Sequence, residues 1–131
     1  MTLTQLIEPV ELVGLVEHTA VACGLFPLGE LKVRLRLYEH FSVGGSQEDF
    51  VHLIFYILAG RTPAQKQQLS TQIVCALVER LPGVAAISLE VRDIEREVFS
   101  NKRGCHAGSA ERHPEGKEGA QVRAAIAPGL R

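Results

Sequence analysis

A chain of 131 residues is long enough for one domain with a real core and too short for several. Its 46% hydrophobic and 22% charged residues are ordinary globular proportions. With no uninterrupted apolar run of the roughly 18 residues that a membrane span needs, and no basic start followed by an apolar stretch, membrane insertion and secretion are both disfavoured. The net charge of −1 hides an asymmetry, since residues 1–101 carry 8 Lys and Arg against 12 Asp and Glu, and residues 102–131 carry 6 against 3. A modestly basic end is more often a solvated extension than a nucleic-acid arm, so no nucleic-acid partner is expected.

Leu3 to Glu8 leans apolar and reads as a weak edge strand. Pro9 suits the first turn of a helix, where its missing N–H leaves no broken bond. Val10, Val13, Val16, Ala20 and Cys23 then recur at three- and four-residue spacing until Gly24 ends the helix. Leu31 to Tyr38 alternates strictly, with Leu31, Val33, Leu35 and Leu37 on one face and Lys32, Arg34, Arg36 and Tyr38 on the other. Gly44-Gly45-Ser46 marks a turn. Phe50 to Leu58 is almost continuously apolar, with His52 the exception, which predicts a strand covered on both faces. Thr62-Pro63-Ala64-Gln65 has the form of an N-cap, a proline at the first helical position and a capping-box Gln. Leu69, Ile73, Ala76, Leu77 and Leu81 supply the apolar stripe of the helix that follows, which stops at Pro82-Gly83. Ala86 to Ile94 alternates again, with Ile87, Leu89 and Val91 opposite Ser88, Glu90 and Arg92.

The predicted order is β-α-β-β-α-β, an α+β domain over residues 1–101 with a four-stranded sheet and two helices on one face. Residues 102–131 carry Gly, Ala, Pro, Ser and charge without period and read as a disordered tail. Two helices cover one side of a sheet, whereas Phe50, Ile54 and Tyr56 make the other side of the second strong strand apolar too, which calls for self-association. Cys23 and Cys75 fall in helical patterns and read as small core residues. Three cysteines with no C-x-x-C unit fit a reduced, cytoplasmic setting. His106 and His113 near Cys105 match no zinc spacing, so no metal is expected.

Several pieces, taken in order, resemble a known family. They are Gly24-Leu25-Phe26-Pro27-Leu28, Phe50-Val51-His52, Ala59-Gly60-Arg61 and the Leu69-x-x-x-Ile73 helix, then Ser88-Leu89-Glu90-Val91 with Arg96-Glu97-Val98-Phe99. In order and spacing they are similar to the 5-carboxymethyl-2-hydroxymuconate isomerases, a branch of the tautomerase (macrophage migration inhibitory factor) superfamily, over Val13 to Arg103. The resemblance implies a homotrimer whose sheets pack around a central barrel. It also implies a cofactor-free 1,3-proton shift on a 2-hydroxymuconate-type dienoate, a small carboxylate substrate from aromatic acid catabolism.

The family's catalytic base is an N-terminal proline, and this chain begins Met1-Thr2-Leu3. By position the base becomes the α-amine of Thr2, of which about a tenth would be neutral at pH 7 for an ordinary amine. Pro9 is internal, so its nitrogen is an amide and no base. The resemblance gives carboxylate binding to Lys32, where the family has an arginine, to Arg34 and to Arg61, with Phe50 on the pocket wall. Lys32 replaces a bidentate fork by a point charge. The plainer readings are a solvated Lys/Arg strand face, a turn-stabilising Arg61 and a core or interface His52. Three alternatives stay open: an isomerase with altered proton transfer, a non-catalytic trimer keeping an anion pocket, and a chain whose authentic start lies upstream.

Overall fold

A computed structural model describes residues 7–26, 28–106 and 120–127. Helix α1 runs Pro9–Ala22, with proline in its first turn and an extended Glu8 before it. Its buried residues are Leu12, Val16 and Ala20, a strict four-residue ladder. The stripe therefore sits rotated from the expected one, and Val10 is 80% exposed. Gly24 closes this helix at φ 76°, a left-handed conformation that glycine adopts without steric penalty.

A single 3₁₀ turn, Leu28–Glu30, leads into strand β1, Leu31–Leu37. The alternation predicted for β1 holds over its first six residues: Leu31 is buried, Val33 and Leu35 pack against the core, and Lys32, Arg34 and Arg36 are exposed, whereas Leu37, expected on the apolar face, is exposed at the strand's end. Gly44 and Gly45 take φ values of 58° and 87° between Val43 and Ser46, whose backbones exchange hydrogen bonds of 2.7 and 3.1 Å. Two successive positive φ angles explain the glycine pair. Strand β2, Phe50–Leu58, buries Val51, Leu53, Phe55 and Ile57 almost completely, while Phe50, His52, Ile54 and Tyr56 are half-buried on the other side.

Helix α2, Pro63–Arg80, starts with the complete capping box. The Gln65 amide donates to Thr62 Oγ1 at 3.1 Å, and the Thr62 amide donates to Gln65 Oε1 at 2.9 Å. Leu69, Ile73 and Leu77 face the core. Cys75 is exposed, in contrast to its expected core position, because it points away from the 69/73/77 ladder. Strand β3 is Ala86–Ile94, followed by a 3₁₀ turn at Arg96–Val98 and the short helix α3, Lys102–His106.

The sheet departs from the expected order at its centre. A fourth strand, β4, spans Ala120–Ala127 inside the stretch expected to be a disordered tail. Among the described residues the sheet order is β1-β4-β2-β3, with β1 parallel to β4, β4 antiparallel to β2, and β2 parallel to β3. The edge strand expected at Leu3–Glu8 lies outside the described residues apart from Ile7 and Glu8. Strands β2 and β3 with α2 between them form the parallel crossover unit that such a helix permits.

Helices α1 and α2 pack on one face of the sheet. The core joins Leu12, Val16, Leu69, Ile73 and Leu77 of the helices to Val51, Leu53, Phe55 and Ile57 of β2 and Val122 of β4. Phe26 reaches in from the turn before β1, its ring 5.5 Å from that of Phe55. Among the described residues the face opposite α1 and α2, called the helix-free face below, carries polar side chains of β1, β2 and β3.

Candidate functional site

Residues of alternate parity put Lys32, Arg34 and Arg36 of β1, His52, Ile54 and Tyr56 of β2, and Ser88, Glu90 and Arg92 of β3 on the helix-free face. The pairing register arranges them in rows across the strands. Arg36 lies level with Ala125, His52 and Ser88; Arg34 with Arg123, Ile54 and Glu90; Lys32 with Gln121, Tyr56 and Arg92. The face thus grades from three cations on one edge strand, through a half-buried aromatic and aliphatic band, to an acid–base pair on the other.

The far side of that face holds a linked cluster. His52 Nδ1 lies 2.7 Å from Ser88 Oγ, within one hydrogen bond. His52 Nε2 lies 3.6 Å from Glu90 Oε1. Arg92 grips Glu90 with two N–H donors, Nε to Oε2 at 3.1 Å and Nη2 to Oε1 at 2.9 Å. The Arg92 hydrogen bonds hold the Glu90 carboxyl below its ordinary range, with His52 adding to the same effect, and Glu90 in turn raises Arg92. His52 keeps 37% of its side-chain surface open to solvent. The strand register brings these groups together, since His52 and Ser88 are direct cross-strand partners and Glu90 is diagonal.

The residues selected from the sequence do not all meet. Lys32 and Arg34 are exposed neighbours on β1. Phe50 shares their face but stands level with Ala127, six residues along β2 from the Lys32 row. At roughly 3.3 Å per residue that separates the two by about 20 Å. The Phe50 ring packs edge-on against Phe41, with centroids 5.7 Å apart. Thr2 lies outside the described residues.

Arg61 occupies the turn beyond β2, at the end of the sheet that Lys32 shares. It donates through Nη1 to the Leu58 carbonyl at 3.1 Å and through Nη2 to the Leu25 carbonyl at 3.0 Å. Partial burial lowers its pKa first, and the nearby Arg96 lowers it further. Arg96 donates from Nε to the Ala59 carbonyl, so two guanidinium groups brace one turn. Gly60 between them has φ 127°, and a Cβ there would sit 3.5 Å from Arg96 Nη2. Sequence reasoning missed Arg96 as the partner of this turn, and missed Ser88, Glu90 and Arg92 as the surroundings of His52. The period-two patterns of β2 and β3 held the second signal, had the two strands been taken as parallel neighbours in register.

Among the described residues no group of three or more His, Cys, Asp and Glu side chains is placed to hold a metal ion. No helix among them is long and apolar enough to cross a membrane. A family model described as 5-carboxymethyl-2-hydroxymuconate isomerase matches residues 2–107. A search of curated proteins finds no match.

Proposed function

Because the chain belongs to the 5-carboxymethyl-2-hydroxymuconate isomerase family, we propose that it is a cytoplasmic isomerase that moves a proton across three carbons of a 2-hydroxymuconate-type dienoate. The reaction interconverts a 2-hydroxy-dienoate and its 2-oxo-enoate isomer without a cofactor, in the catabolism of an aromatic acid. The observation that carries this reading is the family match across 2–107, which spans both β1 and β3. The exposed cations of β1 support it.

In this reading the α-amine of Thr2 is the base, and Lys32 and Arg34 hold the carboxylates. Arg61 borders the same end of the sheet, while Phe50, at the opposite end of β2, does not reach this pocket within one subunit. A fixed cation near a substrate carboxylate orients the dienoate and favours the charge that develops as the proton leaves. The proposed assembly is a homotrimer. A sheet face bearing Lys32, Arg34, Arg36, Glu90 and Arg92 fits the wall of a wet shared space better than a dry seam between subunits.

A second reading has one specific observation in its favour. Two of the Arg61 N–H groups are committed to backbone carbonyls, which suits a non-catalytic relative that retains only an anion-binding surface. An ultraviolet assay of the native chain with a 2-hydroxymuconate-type dienol, beside Thr2→Pro and Arg34→Glu, separates the two. Turnover that Arg34→Glu weakens chiefly through KM supports the isomerase. A silent native chain, rescued or not by Thr2→Pro, rules out activity with Thr2 as the base.

A further inference from the structure

We propose that His52, oriented by Ser88 and backed by Glu90, is a proton-transfer group that exchanges the C–H next to the carbonyl of a small 2-oxo acid bearing a second carboxylate. The inference deepens the reading above and takes its substrate class from it, but it stands on a different part of the fold.

The cluster has the parts that proton transfer to and from carbon requires. In the tautomer that donates Nδ1–H to Ser88 Oγ, 2.7 Å away, the neutral imidazole presents the Nε2 lone pair. Nε2 lies on the Glu90 side, 3.6 Å from the carboxylate, so the imidazolium formed on protonation gains an adjacent negative charge. Arg92 keeps Glu90 ionised and fixed through its two N–H bonds. Glu90 is thereby a stabiliser of the charged imidazole rather than a competing proton store. A core histidine would be sealed; this one is 37% exposed on the helix-free face.

The substrate class follows from the row that His52 occupies. Arg36 on β1 is level with His52, with β4 at Ala125 between them. Two interstrand steps separate the backbones by about 10 Å. A short diacid laid across the strands puts one carboxylate toward the β1 cations and its carbonyl end at the imidazole. The Nε2 lone pair takes the proton from the carbon beside the carbonyl, the C–H electron pair becomes the C=C bond, and the negative charge moves to the carbonyl oxygen. Return of the proton from the imidazolium reverses each change, so nothing is oxidised or consumed.

The test is hydrogen–deuterium exchange at C3 of 2-oxoglutarate in D2O, followed by proton NMR, with the native chain, His52→Gln, Ser88→Ala and Glu90→Gln. The expected result is exchange by the native chain that falls about 100-fold or more in His52→Gln and several-fold in Ser88→Ala, with melting curves unchanged. The groups facing His52 are Ser88 and Glu90 from β3, with Arg92 bound to Glu90 and Arg36 level with His52 across β4. Removing the Glu90 charge takes away the anion beside the imidazolium, so Glu90→Gln should slow exchange several-fold, and the pH limb of exchange should vanish in His52→Gln. A merely structural role would leave that limb in place. Absence of exchange by the native chain, or exchange that His52→Gln does not reduce, overturns the proposal. The dienol assay on the same samples keeps the two readings distinguishable: dienol turnover beside exchange that His52→Gln does not reduce defeats this inference alone, and His52-dependent exchange beside a silent dienol assay defeats only the isomerase.

Discussion

Arg61 shows how one side chain can satisfy two different expectations. By resemblance it is a carboxylate ligand, and by geometry it ties the Leu25 carbonyl ahead of β1 to the Leu58 carbonyl at the end of β2. Replacing it with Ala removes both donors and leaves two carbonyls to find other partners. The expected loss is about 1–3 kcal/mol, read as a lower urea midpoint with an unchanged slope. An Arg61→Ala variant that melts like the parent but has a sharply raised KM would return the residue to substrate binding. The residue type was legible in the sequence because Ala59-Gly60-Arg61 is a compact motif. Its hydrogen-bond partners were not, since Leu25 is 36 positions away and only the folded turn brings the two together. His52 presents the converse case: a lone polar residue in an apolar run looks like a tolerated exception until Ser88 and Glu90 are known to be its neighbours.

At the scale of elements, local chemistry was the better guide. The Thr62 capping box was visible as four consecutive residues, and both of its reciprocal bonds form. Thr62→Ala should lower stability by about 1 kcal/mol, with hydrogen exchange quickening first in the opening turn of α2. An unchanged midpoint would mean that α2 is held by its Leu69, Ile73 and Leu77 face alone. Strands β1 and β3 were legible from their period of two. The helix stripe of α1 was displaced because Val10 and Val13 compete with Leu12 for the apolar side, and sheet packing decides between them. Strand β4 escaped because Ala120 to Ala127 contains few β-favouring residues. Its traces were Val122 and Ile126 at even spacing, bounded by Gly119 and Pro128.

For the whole molecule, β4 decides whether there is one sheet or two pieces. Strand β1 pairs with β4, and β4 pairs with β2, so the order β1-β4-β2-β3 leaves β1 joined to the rest of the sheet through the C-terminal segment. Val122 at its centre is fully buried. Ending the chain after His106 should therefore abolish a single cooperative melt and leave the β1 amides exchanging freely. Val122→Asp should destabilise strongly in the same direction, because an unpaired carboxylate enters the core. A truncated chain with the parent's melting curve would show that β4 is dispensable.

The central position of the last strand also has a consequence in time. During synthesis β1, β2, α2 and β3 all leave the ribosome before the residues that must lie between β1 and β2. Until Ala120–Ala127 emerges, the inner edges of β1 and β2 offer unpaired backbone groups to any extended peptide nearby. Completion of the fold is thus a late, long-range event, and the nascent chain is most vulnerable to mispairing just before Ala120–Ala127 arrives.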